Sequence, residues 1–101
     1  MKYDVVIVGS GIAGLFTALR CSQRGLSVLV VTKSRIKSSS TNWAQGGIAA
    51  VLDPADEMAI EAHVQDTISS GKGLCDESVV RSVVVEAAQR IADLVNFGVR
   101  F

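Results

Sequence analysis

The feature that most constrains the fold is a set of three spaced glycines, Gly9, Gly11 and Gly14, in the pattern GxGxxG. It lies directly after the β-branched run 5–8 and directly before residues 12–19, which have apolar side chains at helical spacing. A strand, a tight glycine turn and a helix in this order are typical of a dinucleotide-binding fold. The first glycine permits the turn, the second lets the backbone approach a pyrophosphate, and the third lets the helix pack on the strand. The pattern therefore predicts a phosphate-binding loop at a helix N-terminus, where unpaired N–H groups favour anions.

The segments around this loop predict an α/β protein. Residues 3–8 and 27–32 are apolar and β-branched, which is typical of parallel strands buried on both faces. Gly25 is a natural end for the helix between them, because glycine adopts positive φ without steric cost. We predict a right-handed βαβ unit over residues 1–33, the start of a doubly wound, Rossmann-like parallel sheet. Such a sheet needs more strands than two, so we expect the chain of 101 residues to be truncated.

Residues 34–52 are rich in Ser, Thr and Gly and predict an extended loop. Asp53 as N-cap and Pro54 in the first turn then predict a helix that ends near Ser70, with Gly71 closing it. The inner face of this helix is predicted to carry Ile60, Val64 and Ile68.

A second helix is predicted from an Asp76 cap to about Asn96, with Gly98 ending it. Its Val-rich start weakens the helical pattern, because β-branched residues favour strands. Its apolar stripe is formed by Val80, Val84, Ala87, Ile91 and Leu94.

Composition excludes several classes of protein. Ten basic residues balance ten acidic ones, which leaves no electrostatic footprint for nucleic acid. The longest apolar stretch, residues 5–19, is too short and too interrupted by glycines for a membrane span. The glycine turn also replaces the continuous apolar region that a signal peptide needs. Cys21 and Cys75 form neither a metal motif nor a disulfide framework, so we expect no metal site and a reducing, cytoplasmic location.

The end of the second strand departs from the usual dinucleotide pattern. That place normally holds an acidic residue that binds the ribose hydroxyls, whereas this chain has Thr32 and Lys33, with Arg35 nearby. Basic residues there could receive the 2′-phosphate of NADP, or Lys33 could lie along the ribose or phosphate of another cofactor. A solvated surface lysine is the third interpretation.

A second glycine-containing loop follows at residues 40–50. Its consecutive small residues, with Gly46 and Gly47, would let a backbone lie flat against a planar ligand. Polar side chains supply donors and acceptors, and a flexible linker has no reason to contain a lone Trp43 and Gln45.

This loop, coming soon after Val-Val-Thr-Lys, resembles the flavin-binding signature of the succinate dehydrogenase and fumarate reductase flavoproteins. The strings at residues 63–67, 71–76 and 97–101 are similar to the branch of that family that oxidises L-aspartate. The resemblance runs almost from residue 5 to residue 101. Thr-Lys in place of an acid is usual in this family, so the resemblance favours FAD over NADP.

The resemblance implies a non-covalent FAD. Respiratory members carry a histidine, joined covalently to FAD, where this chain has Ser40. Carried over onto this sequence, the cofactor-binding residues are Gly9, Ser10, Gly11, Ile12, Ala13, Gly14, Lys33, Ser40, Thr41, Asn42, Trp43, Ala44, Gln45, Gly46 and Gly47.

The resemblance also implies an activity. The expected substrate is L-aspartate or another C4-dicarboxylate, oxidised to an imino product with O2 or fumarate as acceptor. The product would feed quinolinate and NAD biosynthesis, with possible functional coupling to quinolinate synthase. A succinate dehydrogenase or fumarate reductase type of subunit and a non-catalytic dinucleotide-binding module remain alternatives.

No catalytic residue is assigned, because the substrate-gripping arginines of this family come from later sequence. The capping and C-terminal helical domains are absent from this chain, so we expect it to be inactive by itself. His63, the only histidine, is interpreted as a packed structural group, and Asp66 as a helix-surface carboxylate or an ion-pair partner.

Overall fold

The computed structural model describes all 101 residues, which form two compact units, Met1–Gly46 and Gly47–Phe101. The first contains the strands and the glycine loop, and the second contains a pair of helices. Each unit is described by itself below. None of the helices is long and apolar enough to cross a membrane.

The first unit is the predicted βαβ arrangement. Strand β1 spans Val5–Val8, helix α1 spans Ile12–Gln23 and strand β2 spans Val28–Val31. The strands are parallel neighbours, with Val5 opposite Val28 and Val8 opposite Val31. Both strands are shorter than the predicted ranges, but their order and direction are confirmed.

Helix α1 ends as its glycine predicts. Gly25 has a φ of +78°, which glycine adopts without strain. Its N–H donates to the Ser22 carbonyl at 2.9 Å, and the Leu26 N–H donates to the Cys21 carbonyl at 3.2 Å. This pair of bonds is a Schellman motif, which satisfies carbonyls that the last turn leaves open.

Of the strands predicted to be buried on both faces, one face is covered within these 101 residues, as expected for two strands alone. Ile7 faces helix α1, since a Cβ on Gly14 would lie 3.3 Å from its Cγ2. Side chains alternate across a strand, so Val6 and Val8 point to the opposite face, where they are 57% and 86% exposed. A single helix can cover only one face of a two-stranded sheet, which is why the sequence pattern of a fully buried strand overstates the burial.

The predicted extended loop after β2 has local structure. Short 3-10 helices span Ile36–Ser38 and Ser40–Trp43. Their i→i+3 bonds include Ser38 N–H to the Arg35 carbonyl at 2.8 Å. A single 3-10 turn produces no apolar period, so sequence periodicity could not have revealed it.

In the second unit, helix α2 spans Glu57–Ser70. The prediction that Asp53 caps this helix is wrong: the N-cap is Asp56, whose carboxylate accepts the Ala59 N–H at 2.9 Å. Asp53 instead caps a separate turn, since its side chain accepts the Ala55 N–H and its carbonyl accepts the Asp56 N–H. The Asp-Pro signal therefore marks the turn that precedes the helix.

Helix α3 spans Glu77–Asn96, as predicted within one residue. Asp76 caps it by accepting the N–H groups of Ser78 and Val79, and Gly98, with a φ of +98°, follows its end. Of the valines near its start, Val80 and Val84 belong to the apolar cluster with residues of α2, whereas Val79, Val83 and Val85 are exposed. The buried core of the unit is Ile60, Val64 and Val84, with Val51, Ile68 and Val80 packed against it.

Candidate cofactor site

The structural constraints differ at the three glycines of the first loop. Gly9 has a φ of +114°, where an L side chain would be strained. A Cβ on Gly14 would collide with the Gly9 carbonyl oxygen, so this glycine lets α1 lie against the loop. Gly11 has neither constraint, since its φ is −74° and the nearest atom to a Cβ there, Thr41 Oγ1, would be at an ordinary 3.4 Å. The protein itself therefore leaves room for a Cβ at Gly11.

Ser10 lies between these glycines and is buried, with 6% of its surface exposed. Its hydroxyl donates to Thr32 Oγ1 at 3.1 Å, and the Ile36 carbonyl oxygen lies at 3.5 Å. The Gly9 N–H donates to the Val31 carbonyl at 2.8 Å. The glycine loop is thereby attached to the end of β2 through both backbone and side chain.

The predicted second loop reaches the start of helix α1. Thr41 Oγ1 accepts the Ile12 N–H at 3.1 Å, so a residue of the Ser40–Trp43 turn caps the helix from a distance of 29 positions in sequence. Gly11, the helix N-cap, makes no side-chain cap of its own. Two segments that the sequence predicts to hold one cofactor are therefore in direct contact.

The remaining predicted residues of this unit lie at its surface. Lys33 is the second residue after β2, and the stretch from Ser40 to Gly46 is exposed throughout. Trp43 is 75% exposed, which is unusual for so large an aromatic side chain. A Cβ on Gly46 would meet nothing within 4 Å, so this glycine also leaves open space beside the backbone.

Gly47, the last predicted contact, belongs to the second unit. There it lines a groove together with Ile48, Leu52, Ile91 and other residues of that unit. A Cβ on Gly47 would also meet nothing within 4 Å.

The opposite end of the strand pair is fixed by a second polar contact. The Asp4 carboxylate accepts the Ser27 N–H at 2.8 Å and the Ser27 hydroxyl at 2.7 Å. The bond from the Ser27 N–H has the larger effect and the bond from the Ser27 hydroxyl the smaller, and both hold the pKa of Asp4 below its usual value. Polar bonds therefore join β1 and β2 at both ends, Asp4 with Ser27 and Ser10 with Thr32.

His63 lies on α2 in the second unit, and it is partly buried. It lines an apolar cavity of about 320 Å³ with Val79, Val83, Ala87 and other residues of that unit. These surroundings agree with its interpretation as a packed group. Asp66 is exposed on the same helix, as predicted for a surface carboxylate.

Sequence reasoning missed Thr32 as a partner of the glycine loop, although it singled out its position as lacking an acid. The strand register contains the signal. Val8 lies opposite Val31, so the residues that follow both, including Ser10 and Thr32, emerge side by side at one edge of the sheet. A hydroxyl on each could have been expected to pair.

A parallel βαβ unit with three differently constrained glycines at a helix N-terminus defines a dinucleotide-binding domain. Residues 4–101 match the family described as FAD binding domain. The chain belongs to this family of FAD-binding domains. The predictions of a Rossmann-like fold and of FAD as cofactor are thereby confirmed.

Three similar curated proteins are named L-aspartate oxidase. The chain is 49% identical over 98 residues to an L-aspartate oxidase of Streptomyces coelicolor, covering 97% of this chain and 17% of that protein. It is 48% identical over 99 residues to a chloroplastic L-aspartate oxidase of Oryza sativa subsp. japonica, covering 98% of this chain and 15% of that protein. An L-aspartate oxidase of Synechocystis is 47% identical over 100 residues, with 99% of this chain and 18% of that protein covered. The chain thus spans less than a fifth of the length of these relatives.

The residues present fit FAD. Gly11 leaves a space that a side chain would fill, at the N-terminus of α1, where a dinucleotide-binding fold places the pyrophosphate. The Thr41 contact brings the second loop to the same point.

Proposed function

We propose that this chain is the N-terminal FAD-binding part of an L-aspartate oxidase. The names of the curated relatives support this proposal, together with near-complete coverage of the chain at 47–49% identity for three of them. The proposed substrate is L-aspartate, the proposed location is the cytoplasm, and coupling to quinolinate synthase remains part of the proposal.

Gly11 carries the cofactor assignment. Neither its backbone angles nor its protein neighbours require a glycine, so its small size serves the ligand. We assign the pyrophosphate to the loop at residues 10–13, in which the Ile12 N–H already donates to Thr41 Oγ1. We assign the ribose or phosphate contact to Lys33 and the flavin-proximal contacts to residues 40–47. Gly9 and Gly14 shape the loop.

We propose that FAD is held without a covalent bond. Ser40, at the position where respiratory relatives carry their flavin-linked histidine, begins the second 3-10 turn and is exposed. A serine hydroxyl cannot form a histidyl–flavin bond, and His63 lies on α2 in the second unit.

The proposed reaction removes a hydride from Cα of L-aspartate and a proton from its amino group, giving iminoaspartate. Bound FAD supplies the two-electron chemistry, and O2 or fumarate takes up the electrons afterwards. This chain contributes binding and orientation of the cofactor. We therefore expect the chain by itself to lack oxidase activity.

The test compares Gly11→Ala with the parent in the flavin-loaded enzyme. The new methyl group fits the protein but occupies the ligand's space, so far-UV circular dichroism stays unchanged while FAD affinity falls about ten- to hundredfold. Ala18→Gly, on the same helix, is the control for a change of size away from the loop. Unchanged FAD affinity in Gly11→Ala would contradict the cofactor assignment.

Two further measurements test the activity and the linkage. In the full-length enzyme without oxygen, L-aspartate should bleach the bound flavin, whereas succinate should not. The reverse result would favour a succinate dehydrogenase type of enzyme. Denaturation should release yellow flavin into the supernatant. Flavin that stays on the precipitated polypeptide would refute the non-covalent attachment.

A further inference from the structure

Ser10 is the only polar residue that is buried in the chain, and it is the only buried residue of its unit. A buried hydroxyl without a partner is costly, so the bond that it makes has structural weight. Because Ser10 lies between Gly9 and Gly11, whatever fixes its side chain also fixes the loop that approaches the cofactor.

The Ser10 hydroxyl is engaged by other residues of the protein. Its single proton is donated to Thr32 Oγ1 at 3.1 Å, while the Ile36 carbonyl, at 3.5 Å, lies at the outer limit of a hydrogen bond. With the side chain engaged inward, Ser10 offers only its backbone N–H to a phosphate.

Thr32 occupies the end of β2, where a dinucleotide fold usually has a ribose-binding acid. Here the Thr32 hydroxyl accepts a bond from the glycine loop, so the residue acts within the protein. The backbone bond from Gly9 to Val31 lies beside this contact and holds the same two segments together.

We propose that Ser10 and Thr32 form a positioning pair, whose hydroxyl contact sets the glycine loop for FAD without touching the cofactor. This inference rests on the proposed function, in which that loop holds the FAD pyrophosphate. The pair explains why the strand end carries a hydroxyl in place of an acid: its task is the orientation of the loop.

The test is a double-mutant cycle, with the affinity of the apoprotein for FAD measured by quenching of flavin fluorescence. Ser10→Ala and Thr32→Val each remove the contact, and each should weaken FAD binding about three- to tenfold. The double variant should lose no more than either single variant, since one shared contact can be lost only once. Thr32→Ser keeps the hydroxyl and should bind FAD like the parent. Ser22→Ala, an exposed serine on α1, is the matched control.

The unfolding midpoint of each apoprotein separates positioning from simple stabilisation. Lower midpoints with unchanged FAD affinity would overturn the proposal, because the pair would then serve stability alone. Weaker binding in Ser10→Ala with normal binding in Thr32→Val would also overturn it, since Ser10 would then contact the cofactor directly. If the parent protein bound no FAD, the proposed function would be contradicted. If the parent bound FAD and the variants bound it equally well, only the positioning pair would be contradicted.

Discussion

The two units of the chain are held together by different forces. The second unit has a small apolar core, Ile60, Val64 and Val84, between two capped helices. The first unit has no buried apolar side chain, and its one buried residue is Ser10. The unit that carries the cofactor site is therefore organised by glycine geometry and polar bonds, and the helical unit by packing.

This difference shows how a binding loop can be held without a core of its own. Backbone N–H groups must face a ligand, so the loop cannot bury them in apolar surroundings. The contact between Ser10 and Thr32 fixes the loop through side chains alone, and the Thr41 hydroxyl accepts the Ile12 N–H. Substitutions in the first unit should consequently affect FAD binding, and substitutions in the second should affect stability.

The largest effect is expected for Gly14→Ala. Its methyl group would collide with the Gly9 carbonyl, a backbone atom that cannot rotate away, so α1 must move off the loop. We expect a loss of about 3 kcal/mol in the free energy of unfolding, together with loss of FAD. Urea unfolding and flavin occupancy measure both. Gly11→Ala, which the protein accommodates, is the matched control, and equal stability of the two variants would contradict this account of the glycines.

The next largest effect is expected for Val64→Ala in the second unit. Val64 is completely buried, so truncation leaves a cavity and costs about 2 kcal/mol of unfolding free energy. FAD affinity of the folded protein should stay at the parent value. A large loss of FAD affinity at temperatures where the variant is folded would break the division between the two units.

Acid should weaken both units modestly through carboxylates whose pKa is lowered, Asp4 in the first unit and Glu61 and Asp76 in the second. The backbone N–H of Ser27 lowers the pKa of Asp4, and the Ser78 hydroxyl lowers the pKa of Asp76. A lowered folded-state pKa gives stability that is present above the ordinary value of 3.8 and is lost as pH falls through the folded-state value. Unfolding midpoints measured from about pH 5 downward should fall less in Asp4→Asn and Asp76→Asn than in the parent. Asp66→Asn, on the exposed face of α2, should retain the parent's acid sensitivity.

The smallest effect is expected at the surface ion pair of the helical unit. Arg81 Nη2 lies 2.8 Å from Glu61 Oε2 and 3.6 Å from Glu77 Oε1. Both side chains of the closer pair are more than 40% exposed. Because solvent and salt screen such pairs, Arg81→Met should leave the unfolding midpoint almost unchanged. A clear loss that persists in high salt would show that polar bonds stabilise this unit as they do the first.

The sequence allows much of this arrangement to be predicted, for reasons that differ by region. The glycine loop, the order of the strands and the Asp76 and Gly98 helix ends follow from local chemistry, and the structure has them where expected. The start of α2 was misplaced because Asp53 and Asp56 are both good caps, and only the carboxylate geometry distinguishes them.

Other features depend on contacts that no local pattern encodes. Burial of the strands was overestimated, because β-branched composition does not say how many layers cover a sheet. The meeting of Thr41 with Ile12 and of Ser10 with Thr32 joins residues more than twenty positions apart. Glycine spacing predicts a candidate cofactor loop, but it could not predict which side chains hold that loop in place.

The central claim is that backbone N–H groups of the first unit hold FAD, and amide hydrogen exchange with and without FAD tests it most directly. We expect exchange to slow at residues 10–13 and 40–46 when FAD binds, because their N–H groups become engaged or covered. Exchange in α2 and α3 should stay the same at the core positions around Val64 and Val84. Stoichiometric FAD binding without protection of the glycine loop, or with protection confined to the helical unit, would contradict the account.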